Sequence, residues 1–232
     1  MIPFILTLTL ALLVYTFAFS KGAPTCNHFV MNVYLYLALS VSLCASFIYL
    51  YESISWKPPM YVAIILSFVS IIFLSIRPLF SKKGYLTNHF GWLVFLGSVS
   101  LLLSPLLEKF KDKVERAFIS TFILFLCLTL FANVIPKFLK QTYEKVMAGL
   151  MLGLFAIIIT ELYFILTNQY SDYLKNMMDY IVILLFSVFL LYDTNRLYHY
   201  ASICVKYPNY PLLSVNLFLD LLNIFSRLLS YE

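Results

Sequence analysis

Eight stretches of mostly apolar residues, each near the length that crosses a bilayer, follow one another along this chain with only short connections between them. They run approximately from Ile2 to Ser20, Phe29 to Tyr51, Pro59 to Phe80, His89 to Leu107, Ala117 to Phe138, Val146 to Thr167, Met177 to Tyr200 and Leu212 to Leu229. A hydrocarbon core of about 30 Å takes about 20 apolar residues of helix. Membrane-spanning sheet must close into a barrel of alternating polarity, whereas a run such as Tyr180 to Leu191 is apolar on every face. With 62% hydrophobic and 12% charged residues, no soluble fold could hide the apolar surface. The expectation is an all-α, polytopic membrane helical bundle with the lipid bilayer as its surroundings.

The net charge of +5 would suggest nucleic acid or an anionic surface in a soluble protein. Here the basic residues fall mainly in short loops, where they act as topology signals and headgroup contacts, so no nucleic acid partner is expected. Taking alternate loops, Lys21, Arg77, Lys82, Lys83, Lys137, Lys140, Lys145, Arg196 and Lys206 share one side, nine against seven for the other. That narrow majority places the first, third, fifth and seventh loops in the cytosol and both termini opposite. A re-entrant last helix would return the C-terminus to the cytosol. Residues 1–24 form a hydrophobic segment, an extra helix or a signal peptide. The small residues Ser20, Gly22 and Ala23 suit cleavage, but the absence of a basic stretch ahead of the apolar run favours a retained helix. Residues 25–232 make up the remaining bundle.

Cys26, Cys44, Cys127 and Cys204 show no paired spacing and read as small apolar residues. His28, His89 and His199 form no His-x-x-x-His or His-Glu-x-x-His pattern, which disfavours a zinc hydrolase. No internal repeat supports an inverted-repeat transporter.

The informative residues are the carboxylates inside apolar runs, because a charge at the bilayer centre costs several kcal/mol and so faces a bundle interior or water. Glu161, Asp193 and Asp220 qualify. Between the two aspartates lies Lys206-Tyr207-Pro208-Asn209-Tyr210-Pro211, whose prolines end one helix and admit the first turn of the next. The two segments should therefore form an antiparallel hairpin. Asp193 and Asp220 stand roughly 13 residues either side of its turn, about 20 Å along each helix, and so at matched depth. Carboxylates that meet there would share a proton and titrate as one coupled unit. The plainer alternative is that each serves locally, for instance Asp193 with Arg196. Asn223 lies one turn after Asp220 and Arg227 one turn further, extending a polar stripe that suits either a hydrated path or interhelical hydrogen bonds. Glu161 has no partner nearby in sequence, and either lines the path or faces another helix in protonated form. Arg77, in Ser75-Ile76-Arg77-Pro78, either snorkels to the interface or bends inward to latch the aspartates.

Tyr192-Asp193-Thr194, then Pro208-Asn209-Tyr210-Pro211-Leu212, then Asn216-Leu217-Phe218-Leu219-Asp220-Leu221-Leu222-Asn223-Ile224-Phe225 resemble the Bax inhibitor transmembrane, or lifeguard, family. In that family a Tyr/Phe-Asp-Thr closes the sixth helix and an Asn-Leu-Tyr-Leu-Asp-Ile-x-Asn-Leu-Phe pattern fills the seventh. The likeness is strong over about residues 185 to 229 and rests on helix count and loop character before that. Segments two to eight would be the seven family helices, which leaves the first segment extra. His89 to Leu107 carries no acidic residue, where some relatives have one in their third helix.

The resemblance implies a seven-helix bundle with a central last helix, a calcium-permeable leak and proton-responsive gating by Asp193 and Asp220. It implies calcium as the transported ion rather than a cofactor, held weakly, since two carboxylates fall short of the six to eight oxygens of a tight calcium site. Eukaryotic and viral relatives sit in the endoplasmic reticulum or Golgi and suppress cell death; bacterial ones sit in the plasma membrane. A non-conducting scaffold acting on apoptosis-related membrane proteins or proteases is the alternative. An intramembrane aspartyl protease also places two aspartates on adjacent helices, but its Gly-x-Gly-Asp and Pro-Ala-Leu motifs are missing, so no enzyme activity is expected.

Overall fold

The computed structural model describes residues 2–20, 22–54, 58–76, 85–132, 143–167, 171–204 and 207–231. Among them are α1 (Ile2–Ala18), α2 (Phe29–Ser53), α3 (Met60–Ser75), α4 (Tyr85–Lys109), α5 (Val114–Ala132), α6 (Tyr143–Leu166), α7 (Asp172–Ile203) and α8 (Tyr210–Ser230). One short antiparallel ribbon, Phe19–Ser20 against Ala23–Pro24, follows α1, and a 3-10 turn, Lys111–Lys113, joins α4 to α5. The polytopic helical bundle read from the apolar runs is the fold observed.

Six of these helices are long and apolar enough to cross a membrane; α1 and α3 are shorter. The described part of α3 spans about 24 Å. Its expected continuation toward Phe80, with Arg77, lies outside the described residues. α7 is longer than its apolar run suggests, starting at Asp172 and ending at Ile203, about 48 Å. Helices suit this composition because each satisfies its own backbone groups, so apolar side chains can face lipid all round. α6 does this most fully, presenting Leu152, Phe155, Ile159, Leu162 and Leu166 outward.

The chain divides into two units. The first comprises residues 1–109 and 197–218. In it α1 lies on α2 through hydroxyls, Thr7 Oγ1 standing 2.7 Å from Ser42 Oγ and 3.1 Å from Ser46 Oγ. α3 and α4 approach closely at Gly91, where a Cβ would fall 2.8 Å from Phe73 Cβ and 3.0 Å from the Leu74 nitrogen. Between α2 and α4, Tyr36 OH and His89 Nε2 lie 2.8 Å apart, and Trp92 Nε1 donates to Ser40 Oγ at 3.0 Å. These buried polar groups are paired across helices, as a low-dielectric interior favours.

The break between α7 and α8 falls at the proline-bearing segment, and three ties hold it within this unit. The Asn209 side chain donates to the Leu74 carbonyl at 2.8 Å and accepts from the Leu212 N–H at 3.2 Å, capping α8. Buried Tyr210 donates to the Thr25 carbonyl, receives Asn32 Nδ2 at 3.2 Å and stacks on Tyr36. Cys26 and Cys204 form a disulfide, with Cα atoms 5.9 Å apart. This corrects the reading of all four cysteines as small apolar residues. The hairpin returns position 204 to the start of α2, a meeting that a sequence separation of 178 does not announce. Cys44 and Cys127 are free.

The second unit comprises residues 110–196 and 219–232. In it the C-terminal half of α8 packs with the first part of α7, antiparallel, and the Tyr180 hydroxyl donates to the Tyr231 hydroxyl at 2.7 Å.

Candidate functional site

Both hairpin aspartates belong to the second unit. Asp193 sits in the turn of α7 that also carries Thr194, Asn195 and Arg196, and is half-buried. Asp220 stands on α8 and is 6% exposed. Counting equal numbers of residues away from the Tyr180–Tyr231 pair, Asp193 comes level with the turn of α8 that carries Asp220. The two carboxylates lie near enough for the charge of Asp193 to act on Asp220, and the charge of Arg196 acts on Asp193.

Three buried oxygens on these two helices have no hydrogen-bond partner among the described residues: Asp220 Oδ2, Thr194 Oγ1 and Asn195 Oδ1. Buried groups of this kind are few in folded proteins and call for water or an ion. Asn195 Nδ2 is spent on the Leu191 carbonyl of its own helix at 3.0 Å, and Asn223 Nδ2 likewise on Leu219 at 2.8 Å. The Asn223 amide nitrogen thus stays on α8.

Glu161 has the partner that its sequence neighbourhood lacks. Arg227 Nη1 donates to Glu161 Oε1 at 2.6 Å and Arg227 Nη2 to Glu161 Oε2 at 3.0 Å, a two-pronged grip of guanidinium on carboxylate. Nη1 also reaches Asp179 Oδ1 at 2.9 Å. Asp179 is 1% exposed and escaped sequence reading because it stands just inside the apolar run of α7, where an acidic residue passes for a boundary.

Among the described residues no three His, Cys, Asp or Glu side chains converge as metal ligands. The aspartate pair offers hard oxygen donors of the kind that suit calcium, in too small a number for a tight resident site.

No curated protein matches this chain. Residues 26–231, from the residue bonded to Cys204 to the end of α8 and beyond, match the family described as Inhibitor of apoptosis-promoting Bax1. The match takes in α2 through α8 and leaves out α1. With the Tyr-Asp-Thr turn and the Asp220 helix inside that match, and six of the described helices long and apolar enough to cross a membrane, the chain is an integral membrane protein that belongs to the Bax inhibitor family.

Proposed function

We propose that this protein is a pH-sensitive calcium leak, in an intracellular membrane if its host is eukaryotic or viral and in the plasma membrane if bacterial. By this reading it acts on calcium balance and cell death without being an enzyme. The observation that carries the reading is Asp220, a carboxylate inside a membrane helix with one oxygen unpartnered and a second carboxylate, Asp193, within electrostatic reach. Two such groups repel when both are ionised, so a proton or a cation stabilises them together. Occupancy of the pair then differs in energy between arrangements of the hairpin, which is what couples proton or ion binding to opening. Thr194 and Asn195 supply further uncharged oxygens for water or an ion in transit.

Calcium flux from proteoliposomes, measured across pH for the parent and for Asp193→Asn and Asp220→Asn, tests it. These changes remove charge with little change of volume. A parent flux that varies with pH, and a flattened profile in both variants, supports the leak. Absence of flux from folded parent protein sinks it and puts the scaffold for apoptosis-related membrane partners in front.

A further inference from the structure

The Arg227 cluster lies apart from the aspartate pair and ties together three helices of the second unit. Glu161 is on α6, Asp179 on α7 and Arg227 on α8. Around it the end of α8 is held by two further cations. Lys175 Nζ donates to the Ser230 carbonyl at 2.9 Å and Lys113 Nζ to the Tyr231 carbonyl at 3.3 Å. Both satisfy carbonyls that a helix end leaves without intrahelical partners, and both oppose its negative pole. Ser230 Oγ adds a long contact to Asp179 Oδ2 at 3.5 Å.

Placement gives this cluster mechanical leverage. Arg227 stands two turns beyond Asp220, about 10 Å along α8 and on nearly the same face. α8 runs unbroken from Tyr210 to Ser230, with its sole proline, Pro211, in the first turn. A helix without a hinge carries a shift at one end to the other. A rigid shift of α8 that displaces the Asp220 carboxylate therefore also moves Arg227, and with α6 and α7 in place Arg227 moves only by giving up Glu161 and Asp179.

We propose that Arg227 is a positioning residue: with Glu161 and Asp179 it forms a clamp that holds α8 in its resting place, and so sets how far the Asp220 helix moves when the leak opens. The clamp is distinct from the proton-binding pair, and its effect on flux rests on the leak reading. Arginine suits the role because its fork grips one carboxylate with two parallel bonds while the same nitrogen reaches a second. Lysine would keep the charge and lose that geometry.

The test has two readouts. The first is calcium flux from proteoliposomes for the parent, Arg227→Gln, Glu161→Gln and Arg227→Lys. A clamp predicts a resting leak raised about tenfold by either Gln change and partly restored in the Lys variant. The second does not depend on conduction. Leu229, fully buried near the clamp, is replaced by cysteine in a chain whose free cysteines are changed to Cys44→Ser and Cys127→Ala. Maleimide labelling at that position should be slow with Arg227 in place and about tenfold faster with Arg227→Gln. Circular dichroism and the intact Cys26–Cys204 bond report that each variant is folded. Unchanged labelling in folded Arg227→Gln and Glu161→Gln protein overturns the clamp. Accelerated labelling with no flux from the parent keeps the clamp and removes the leak.

Discussion

Asn209 and Leu74, far apart in sequence, meet where the Asn209 amide donates to the Leu74 carbonyl at 2.8 Å, while its oxygen caps α8 at the Leu212 N–H. One side chain thus starts the Asp220 helix and fastens its first turn to the end of α3. The Leu74 carbonyl also receives Asn88 Nδ2 at 2.8 Å, so it keeps a donor if Asn209 is lost.

Asn209→Ala should therefore cost about 1 kcal/mol, the ordinary worth of an N-cap, rather than the larger penalty of an orphaned carbonyl. Asn209→Asp keeps the cap and loses the donor, so it should lie closer to the parent. Thermal unfolding in detergent checks the order. The cap predicts a drop of roughly 2–4 °C for the alanine variant in a chain of this size. An equal loss in the two variants would show that the Leu74 bond, which both remove, dominates over the cap.

Gly91 and Gly97 make a matched pair of packing tests on α4. A methyl group at 91 would meet Phe73 Cβ and the backbone of Leu74 and Ser70 at 2.8 to 3.0 Å, none of which can step aside easily. At 97 it would meet only the Tyr51 hydroxyl, at 3.4 Å. Gly91→Ala should destabilise by about 1–3 kcal/mol, overpacking outweighing the gain in helix propensity. Gly97→Ala should be close to neutral. Equal unfolding temperatures for the two would remove the close approach of α3 and α4.

Denatured protein treated with a maleimide polymer before reduction should take up two labels, at Cys44 and Cys127, and four after reduction. Four before reduction would rule out the bond. Replacing Cys26 and Cys204 with alanine should lower stability by about 2–5 kcal/mol, since a loop of this length is costly to close. The bond also bears on orientation. Structural disulfides persist in lumenal and extracellular compartments, whereas the loop charges, nine against seven, place this end of the bundle in the cytosol. Blocked thiols in freshly lysed cells would set the bond above a majority of two residues.

Arg227→Gln should cost about 3 kcal/mol, mainly because it leaves Asp179 buried with a charge and no countercharge. Adding Glu161→Gln and Asp179→Asn should recover most of that loss, since neutral partners cost far less to bury. Unfolding of the single and the triple variant compares the two directly. A triple variant no more stable than the single would show that packing, not charge, holds α8 there.

The hairpin was legible because proline and charge carry their meaning locally. Pro208 and Pro211 mark the break between α7 and α8, and two aspartates inside apolar runs stand out wherever they fall. Asp179 and the partner of Glu161 were not legible. Both depend on which faces of α6, α7 and α8 meet, and a helix that is apolar all round has no periodicity from which to read a face. The Cys26–Cys204 bond was hidden for a related reason: it follows from a chain reversal that leaves no mark in cysteine spacing. The starting point of α7 was misplaced because Asp172 and Lys175, polar residues that end an apolar run, still continue its helix.

The Cys26–Cys204 bond also turns the chain into a closed ring with two tails. α2 through α7 lie on the ring, while α1 and α8 leave it from its two joined residues. A single peptide cut anywhere on the ring leaves one covalent molecule, whereas a cut in either tail releases a piece. During synthesis the ring cannot close before Cys204 has been made, so every helix from α2 to α7 precedes the bond and the Asp220 helix follows it in the chain.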